Sequence, residues 1–153
     1  MGYAIAADGI NWRRVESESD LQAGETFSES IPETPIDHYK LKAAKRITTD
    51  FFAEIKAGFV TTQTGIKMDC DIADIQRFKS AYDLAELKGQ TVMPVIVDYD
   101  NVVHTDIPLT DALAMILELG DHYQTQYIKK QNLRAQIMDP LVTTKPEVDA
   151  IVW

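Results

Sequence analysis

The sequence predicts an α+β fold: an N-terminal β-hairpin arm, then a small domain ordered helix, hairpin, helix, hairpin, long helix. Three observations predict it. Apolar and small residues alternate on either side of Asp8-Gly9 near the start of the chain. Residues 16–33 carry Glu16, Glu18, Asp20, Glu25, Glu29 and Glu33 without a single Lys or Arg, which sets them apart from the mixed-charge body of the chain. Downstream, stripes of helical period alternate with β-prone runs split by turn residues.

In the arm, Tyr3 and Ile5 lead into Asp8-Gly9, and Ile10 and Trp12 lead out. Asp-Gly suits the positive-φ positions of a tight type I′ turn. A two-stranded ribbon with an acidic tail buries too little apolar surface to stand alone. The arm, residues 1–35, is therefore expected to dock on something else. Pro32, Glu33, Thr34 and Pro35 mark its boundary with the body, residues 36–138.

Ala44, Ile47, Phe51 and Ile55 form one stripe of a helix over residues 36–56, closed by Ala57-Gly58. Phe59 to Thr62 and Ile66 to Met68 flank Gln63-Thr64-Gly65 as a hairpin. Asp69 or Asp71 caps a second helix whose buried face holds Ile72, Ile75, Phe78 and Tyr82, and Lys88-Gly89 closes it. Residues 92–99 and 102–107 make a third hairpin around Asp100-Asn101, with Pro94 placing the first strand at an edge. Pro108-Leu109-Thr110 launches the longest helix, to about Ile137, with Leu113, Ile116, Gly120, Tyr123, Tyr127, Leu133 and Ile137 near one face. Gly120 lowers helix propensity by roughly 1 kcal/mol, so it is expected to serve a close backbone approach or a kink. Asp139-Pro140 ends that helix, and residues 139–153 read as a short, partly polar tail.

The net charge of −9 is uneven: residues 1–37 contribute −6, residues 38–56 contribute +3 and the remainder −6. Such a chain is ill suited to unassisted binding of nucleic acid or anionic membranes, where neutralising phosphate supplies much of the affinity. The basic stretch Lys40, Lys42, Lys45, Arg46 reads as a solvated helix face, or as a dock for an acidic surface. The single cysteine, Cys70, excludes an intramolecular disulfide, and its neighbours Asp69 and Asp71 disfavour a thiolate nucleophile. No apolar run approaches the ~18 residues of a membrane span, and no signal-peptide pattern opens the chain, which predicts a cytoplasmic origin.

Asp69, Asp71 and Asp74, and separately Asp98, Asp100 and Asn101, could offer oxygens to Ca²⁺. Neither group continues into an EF-hand loop, and capping and turn chemistry explain them, so no metal is expected. His104 and Asp106 could share a strand face, but nothing marks a nucleophile or oxyanion site beside them. His122 reads as the flank of the long helix, and His38 lies near the domain boundary. The chain has no P-loop, GxGxxG, HExxH, Cys/His metal spacing or Gly-x-Ser-x-Gly elbow. The sequence thus predicts a non-enzyme without catalytic residues or cofactor. Its aromatic interface candidates are Tyr3, Trp12, Phe27 and Trp153.

The ordered set Tyr3, Asp8-Gly9, Trp12-Arg13, Val15, Asp20-Leu21, Gly24-Glu25 and Pro32 resembles N-terminal segments of small proteins from tail gene clusters of bacteriophages and prophages. The body resembles a second family, a domain of unknown function found in tail-fibre and tail-fibre-assembly proteins. That likeness covers about residues 38–138. It rests on Gly58-Phe59, the helix from Asp71 to Leu87, the hairpin from Val95 to His104, Leu109-Thr110, His122-Tyr123, and the run from Leu133 to Ile137. The chain departs from the family near Thr91-Val92-Met93-Pro94, where a more polar approach is expected, which bears on the hairpin register.

Together the resemblances imply a tail protein binding a tail fibre, as assembly chaperone or minor virion component, and they carry no catalytic residue with them. They imply residence in the host bacterial cytoplasm during assembly, with the virion tail as a further location. The alternatives are a homo-oligomeric tail component with a swapped arm, and a metal-dependent or sugar-binding module using His104, Asp106 and the aspartates.

Overall fold

The computed structural model describes residues 1–9, 11–32 and 35–153. The expectations placed on Ile10, Glu33 and Thr34 lie outside the described residues. The fold is mixed α and β, with N-terminal antiparallel strands followed by helices, one of them long. The chain divides into two compact units, Met1–Arg46 with Ala135–Val152, and Ile47–Arg134 with Trp153. These limits are drawn differently from the arm, body and tail expected above: both long helices run from one unit into the other.

In the first unit, β1 (Gly2–Ile5) pairs antiparallel with β2 (Trp12–Val15) and, on its other edge, with β3 (Thr26–Ser28). The expected ribbon is therefore a three-stranded sheet, because part of the acidic tail supplies the third strand. The turn also differs. Of the Asp8-Gly9 pair, Gly9 takes a positive φ, of 68°, and Asp8 does not; the amide of Gly9 donates to Ala6, and that of Ala6 to Asn11. A wider loop replaces the two-residue turn, and Asp8 instead accepts from the Asn11 amide at 3.0 Å.

Between β2 and β3, Glu16, Ser17 and Asp20 form a capped 3-10 turn, with both amides donating to the Asp20 carboxylate. Arg13 clamps this segment by a two-nitrogen bond to Glu25, at 3.1 and 2.8 Å, and by a bond to the Asp20 carbonyl. A bidentate guanidinium–carboxylate pair fixes orientation as well as distance.

Helix α1 (Ile36–Lys56) has the expected limits, and its stripe of Ala44, Ile47, Phe51 and Ile55 is buried throughout. Gly58, at φ 73°, ends it; a Cβ there would meet Tyr99 at 2.6 Å. Strands β4 (Phe59–Val60) and β5 (Lys67–Met68) form the second hairpin. Asp71 caps α2 (Ile72–Leu87) by accepting from Ala73 and Asp74. Ile75 and Tyr82 are buried and Phe78 partly so, but Ile72, expected inside, is exposed at the first helical position.

The third hairpin is nested. Strand β6 (Val92–Met93) pairs with β9 (Ile107–Pro108), and β7 (Ile96–Val97) pairs with β8 (Val103–His104). Two continuous strands were expected. Pro94 lacks the amide that a ladder needs, and Asp106 stands opposite it in a left-handed conformation at φ 60°, so the ladder breaks on both sides.

Helix α3 (Leu109–Met138) buries Ala112, Met115, Ile116, Leu119 and Ile137. Of the face expected, Ile116 and Ile137 are buried and Tyr123 packs on the core, but Leu113 is exposed and Tyr127 sits at 36 % exposure. A Cβ at Gly120 would meet nothing within 4 Å, so no close backbone approach explains this glycine. The tail forms a further helix, α4 (Lys145–Asp149), opened by Glu147 accepting from the Thr143 and Thr144 amides.

The core of the second unit gathers Phe51, Ile55, Met68, Cys70, Met93, Ile96, Met115 and Leu119. Phe51 is its aromatic centre, in edge contact with Tyr123, Tyr127 and Trp153. Lys130 is buried with its ammonium 4.3 Å from the Phe51 ring centre and 4.1 Å from that of Tyr127. Ring faces attract a cation, which helps offset its desolvation. Among the described residues no helix is long and apolar enough to cross a membrane.

Candidate functional site

The hairpin of β7 and β8 sets up an apolar surface through strand alternation alone. Ile96 points inward and is buried, so its neighbours Val95 and Val97 point outward and are exposed. Val97 stands opposite Val103, which is 60 % exposed, and cross-strand partners share a face. Exposed Val102 adjoins them.

Beside this surface opens a cavity of about 220 Å³. Its lining includes the buried side chains of Met68, Met93, Ile96 and Leu119. One wall is a single face of α2, since Asp74, Arg77, Phe78 and Ala81 recur at helical spacing. Asp69, Val95 and Val97 complete the lining. Arg77 pairs with Asp74, whereas Asp69 is exposed and makes no ion pair among the described residues. The arrangement is an apolar pocket with a carboxylate beside it, suited to holding a side chain.

Of the four aromatic interface candidates, three belong to the first unit and one to the second. Tyr3 and Trp12 lie on one face of the N-terminal sheet, rings in edge contact at 5.2 Å, with Trp12 45 % exposed. Phe27 stands opposite Ala4 and so occupies the other face, its ring close over Gly2. Trp153 belongs to the second unit: it packs against the core beside Phe51, and the Lys129 ammonium lies 4.3 Å from its ring centre. Of the ring expected as an interface candidate, part is thus taken up by its own core and part stays accessible.

His104 finds Asp98 and not Asp106. Its Nε2 donates to Asp98 Oδ2 at 2.8 Å, and the second Asp98 oxygen accepts from the Asp100 and Val102 amides. The histidine bond, followed by the amides, holds the Asp98 carboxyl below the usual aspartate range. These bonds close the turn in which Asn101 takes φ 62°. Among the described residues no three His, Cys, Asp or Glu side chains gather as a metal site. Cys70 is buried, with Sγ 3.0 Å from the Ile55 carbonyl oxygen. Burial first, then Asp69 and Asp71, pushes its thiol up to about 11.

The basic stretch divides. Lys40 is buried and donates to the Asp139 carbonyl at 2.7 Å, so it is not part of a solvated face. Lys42 and Arg46 line a second cavity with Tyr39 and Asp149, where the tyrosine hydroxyl donates to both oxygens of Asp149. Near α3, Glu118 accepts from both the amide and hydroxyl of Thr62, fastening the β4–β5 loop to the helix. His122 stacks on Phe59 at 4.5 Å, and its buried Nε2 has no partner among the described residues.

Sequence reasoning weighed Asp69 and Asp74 of this lining as calcium ligands, and named neither the valine surface nor its cavity as a site. The signal was present in the apolar run Val95-Ile96-Val97, which no strand can bury on both faces at once against a single core, but the cavity depends on Met68, Phe78 and Leu119, which only the fold brings close.

No curated protein and no solved structure matches the chain. A family described as a domain of unknown function, DUF4376, matches residues 38–152, and the chain belongs to that family.

Proposed function

We propose that the chain is a non-catalytic tail protein of a bacteriophage or prophage that binds a tail fibre, as an assembly chaperone or minor tail component. The observation that carries the binding role is the exposed valine surface set beside an apolar cavity. Contiguous exposed apolar patches mark interaction sites. Exposed Trp12, with the partly buried Tyr3 ring against it, supplies a second, aromatic contact surface. A binding role also accords with what the titratable groups do: Asp71 caps a helix, Asp98 and His104 close a turn, and the Cys70 thiol is buried and held neutral. The phage setting rests on the resemblances of the arm and body.

Co-expression with the neighbouring fibre protein, followed by light scattering of the purified material, tests this. A defined complex at fixed stoichiometry is expected, weakened by Val97→Asp together with Val103→Asp. Repeated failure of the two proteins to associate sinks the reading. A closed homo-oligomer that ignores the fibre would favour a structural component joined through the outer strands β2 and β3, each of which keeps one edge unpaired within the described sheet.

A further inference from the structure

We infer that the cavity beside the valine hairpin receives an extended partner segment in which an apolar side chain stands next to a lysine or arginine. The inference rests on the fibre-binding reading and supplies the chemistry of its contact.

Size is the first ground. The cavity is about 220 Å³ and apolar at Met68, Phe78, Met93 and Leu119. A dry apolar cavity of roughly 150 Å³ accommodates benzene, so one aliphatic or aromatic side chain fits this one. Methionine linings adapt to the shape of what enters. The adjoining Val95, Val97 and Val103 extend the contact along a strand direction, which suits an extended segment.

Charge is the second ground. Three carboxylates, Asp69, Asp71 and Asp74, lie in the six residues leading into and opening α2. Arg77 pairs with Asp74, and Asp71 spends an oxygen on the helix amides. Asp69 keeps both oxygens for an incoming cation beside the apolar pocket. A lysine or arginine there would lay its stem on the apolar lining while its head meets the carboxylate. The net charge of −9 favours the encounter with a basic segment over an acidic one.

The test pans a displayed library of random heptapeptides against the full chain, with Ala81→Trp and Asp69→Lys variants as counter-targets. Ala81 and Asp69 are both exposed, and thermal melting checks that each variant keeps its fold. Enrichment of peptides placing Leu, Met or Phe beside Lys or Arg is expected. A synthetic copy of the winning peptide should lose saturable binding to Ala81→Trp and weaken at least about tenfold on Asp69→Lys. Absence of any enriched class, enrichment of acidic peptides, or equal affinity for both variants would overturn the inference. The fibre complex separates the two ideas. If it survives Ala81→Trp undiminished, this pocket is not the contact and fibre binding stands by another surface. If the peptides behave as expected and the fibre never binds, the pocket chemistry stands and the fibre reading falls.

Discussion

Among the described residues of the 1–32 segment the buried hydrophobic side chains are Ala4 and Val15, and a lattice of local polar bonds around Arg13, Asp20 and Glu25 fixes the strands. The Ile47–Arg134 unit instead closes over Phe51, Met93, Met115 and Leu119, with Trp153 at the side of Phe51. One region is held by directional bonds that are exposed or only part-buried, the other by apolar area removed from water. Exposed polar bonds contribute little each and open readily, whereas a packed core opens as a unit. The sheet should therefore be the part that yields first. The two tryptophans report the two regions separately, Trp12 in the sheet and Trp153 beside the core.

The sharpest way to break this contrast is Phe51→Ala. Deleting a buried phenylalanine costs about 3–5 kcal/mol, a large part of the stability of a small protein. Urea titration followed at Trp153, in a Trp12→Phe background, should show the midpoint fall steeply. A loss below about 1 kcal/mol would mean that Phe51 is not the centre of the core.

Glycine substitutions separate the regions next. Gly58→Ala forces a side chain into φ 73° and against Tyr99, and should cost about 1–3 kcal/mol in the Trp153 transition. Gly2→Ala places a Cβ 2.5 Å from the Phe27 ring and 2.6 Å from the Ser28 carbonyl oxygen, so it should loosen β3 and shift Trp12 emission. A Gly2→Ala effect on Trp153 equal to that on Trp12 would erase the distinction between the regions.

How much of this was legible in the sequence depends on how local each signal is. The stripe of Ala44, Ile47, Phe51 and Ile55 declared α1 with its limits, because helical burial is written at spacings of three and four. The Asp71 cap and the Gly58 stop were equally local. Strand β3 was missed because three residues of an acidic segment find β1 only across the intervening chain. Helix α4 was missed although Thr144, Pro146 and Glu147 carry a capping-box pattern that could have revealed it. On α3 the small Ala112 and the flexible Met115 were passed over in favour of Leu113 and Tyr127. The cavity was not legible, since its lining comes from separate hairpins and helices.

Titration sharpens the comparison with smaller effects. The Cys70 thiol, raised to about 11 by burial, stabilises the folded chain fully below the unfolded value near 8.5. That contribution is lost as pH rises toward about 11, so Cys70→Ala should flatten the alkaline limb of stability. In the native protein Cys70 should resist iodoacetamide at neutral pH, its labelling tracking the opening of the second unit. On the acid side both regions move the same way. Glu25, lowered by its bond to Arg13, and Asp98, lowered by His104, favour folding above their unfolded values near 4.3 and 3.9. That help fades as pH falls through the lower folded values, and melting curves of Glu25→Gln and Asp98→Asn should converge on the parent in acid. The smallest effect belongs to the exposed Lys79–Asp83 pair on α2, where Lys79→Ala should leave melting unchanged within error.

The interruption of the third hairpin bears on a hazard of a different kind. A run as rich in valine and isoleucine as residues 95–97, with Val102 and Val103 close by, is the raw material of intermolecular sheet growth. Here each ladder is two residues long, Pro94 withholds an amide, Asp106 turns the backbone away, and Asp98 and Asp100 place charge at the tip. These act as gatekeepers. They leave the valine surface of the hairpin open while denying neighbouring copies a long, straight edge on which to stack.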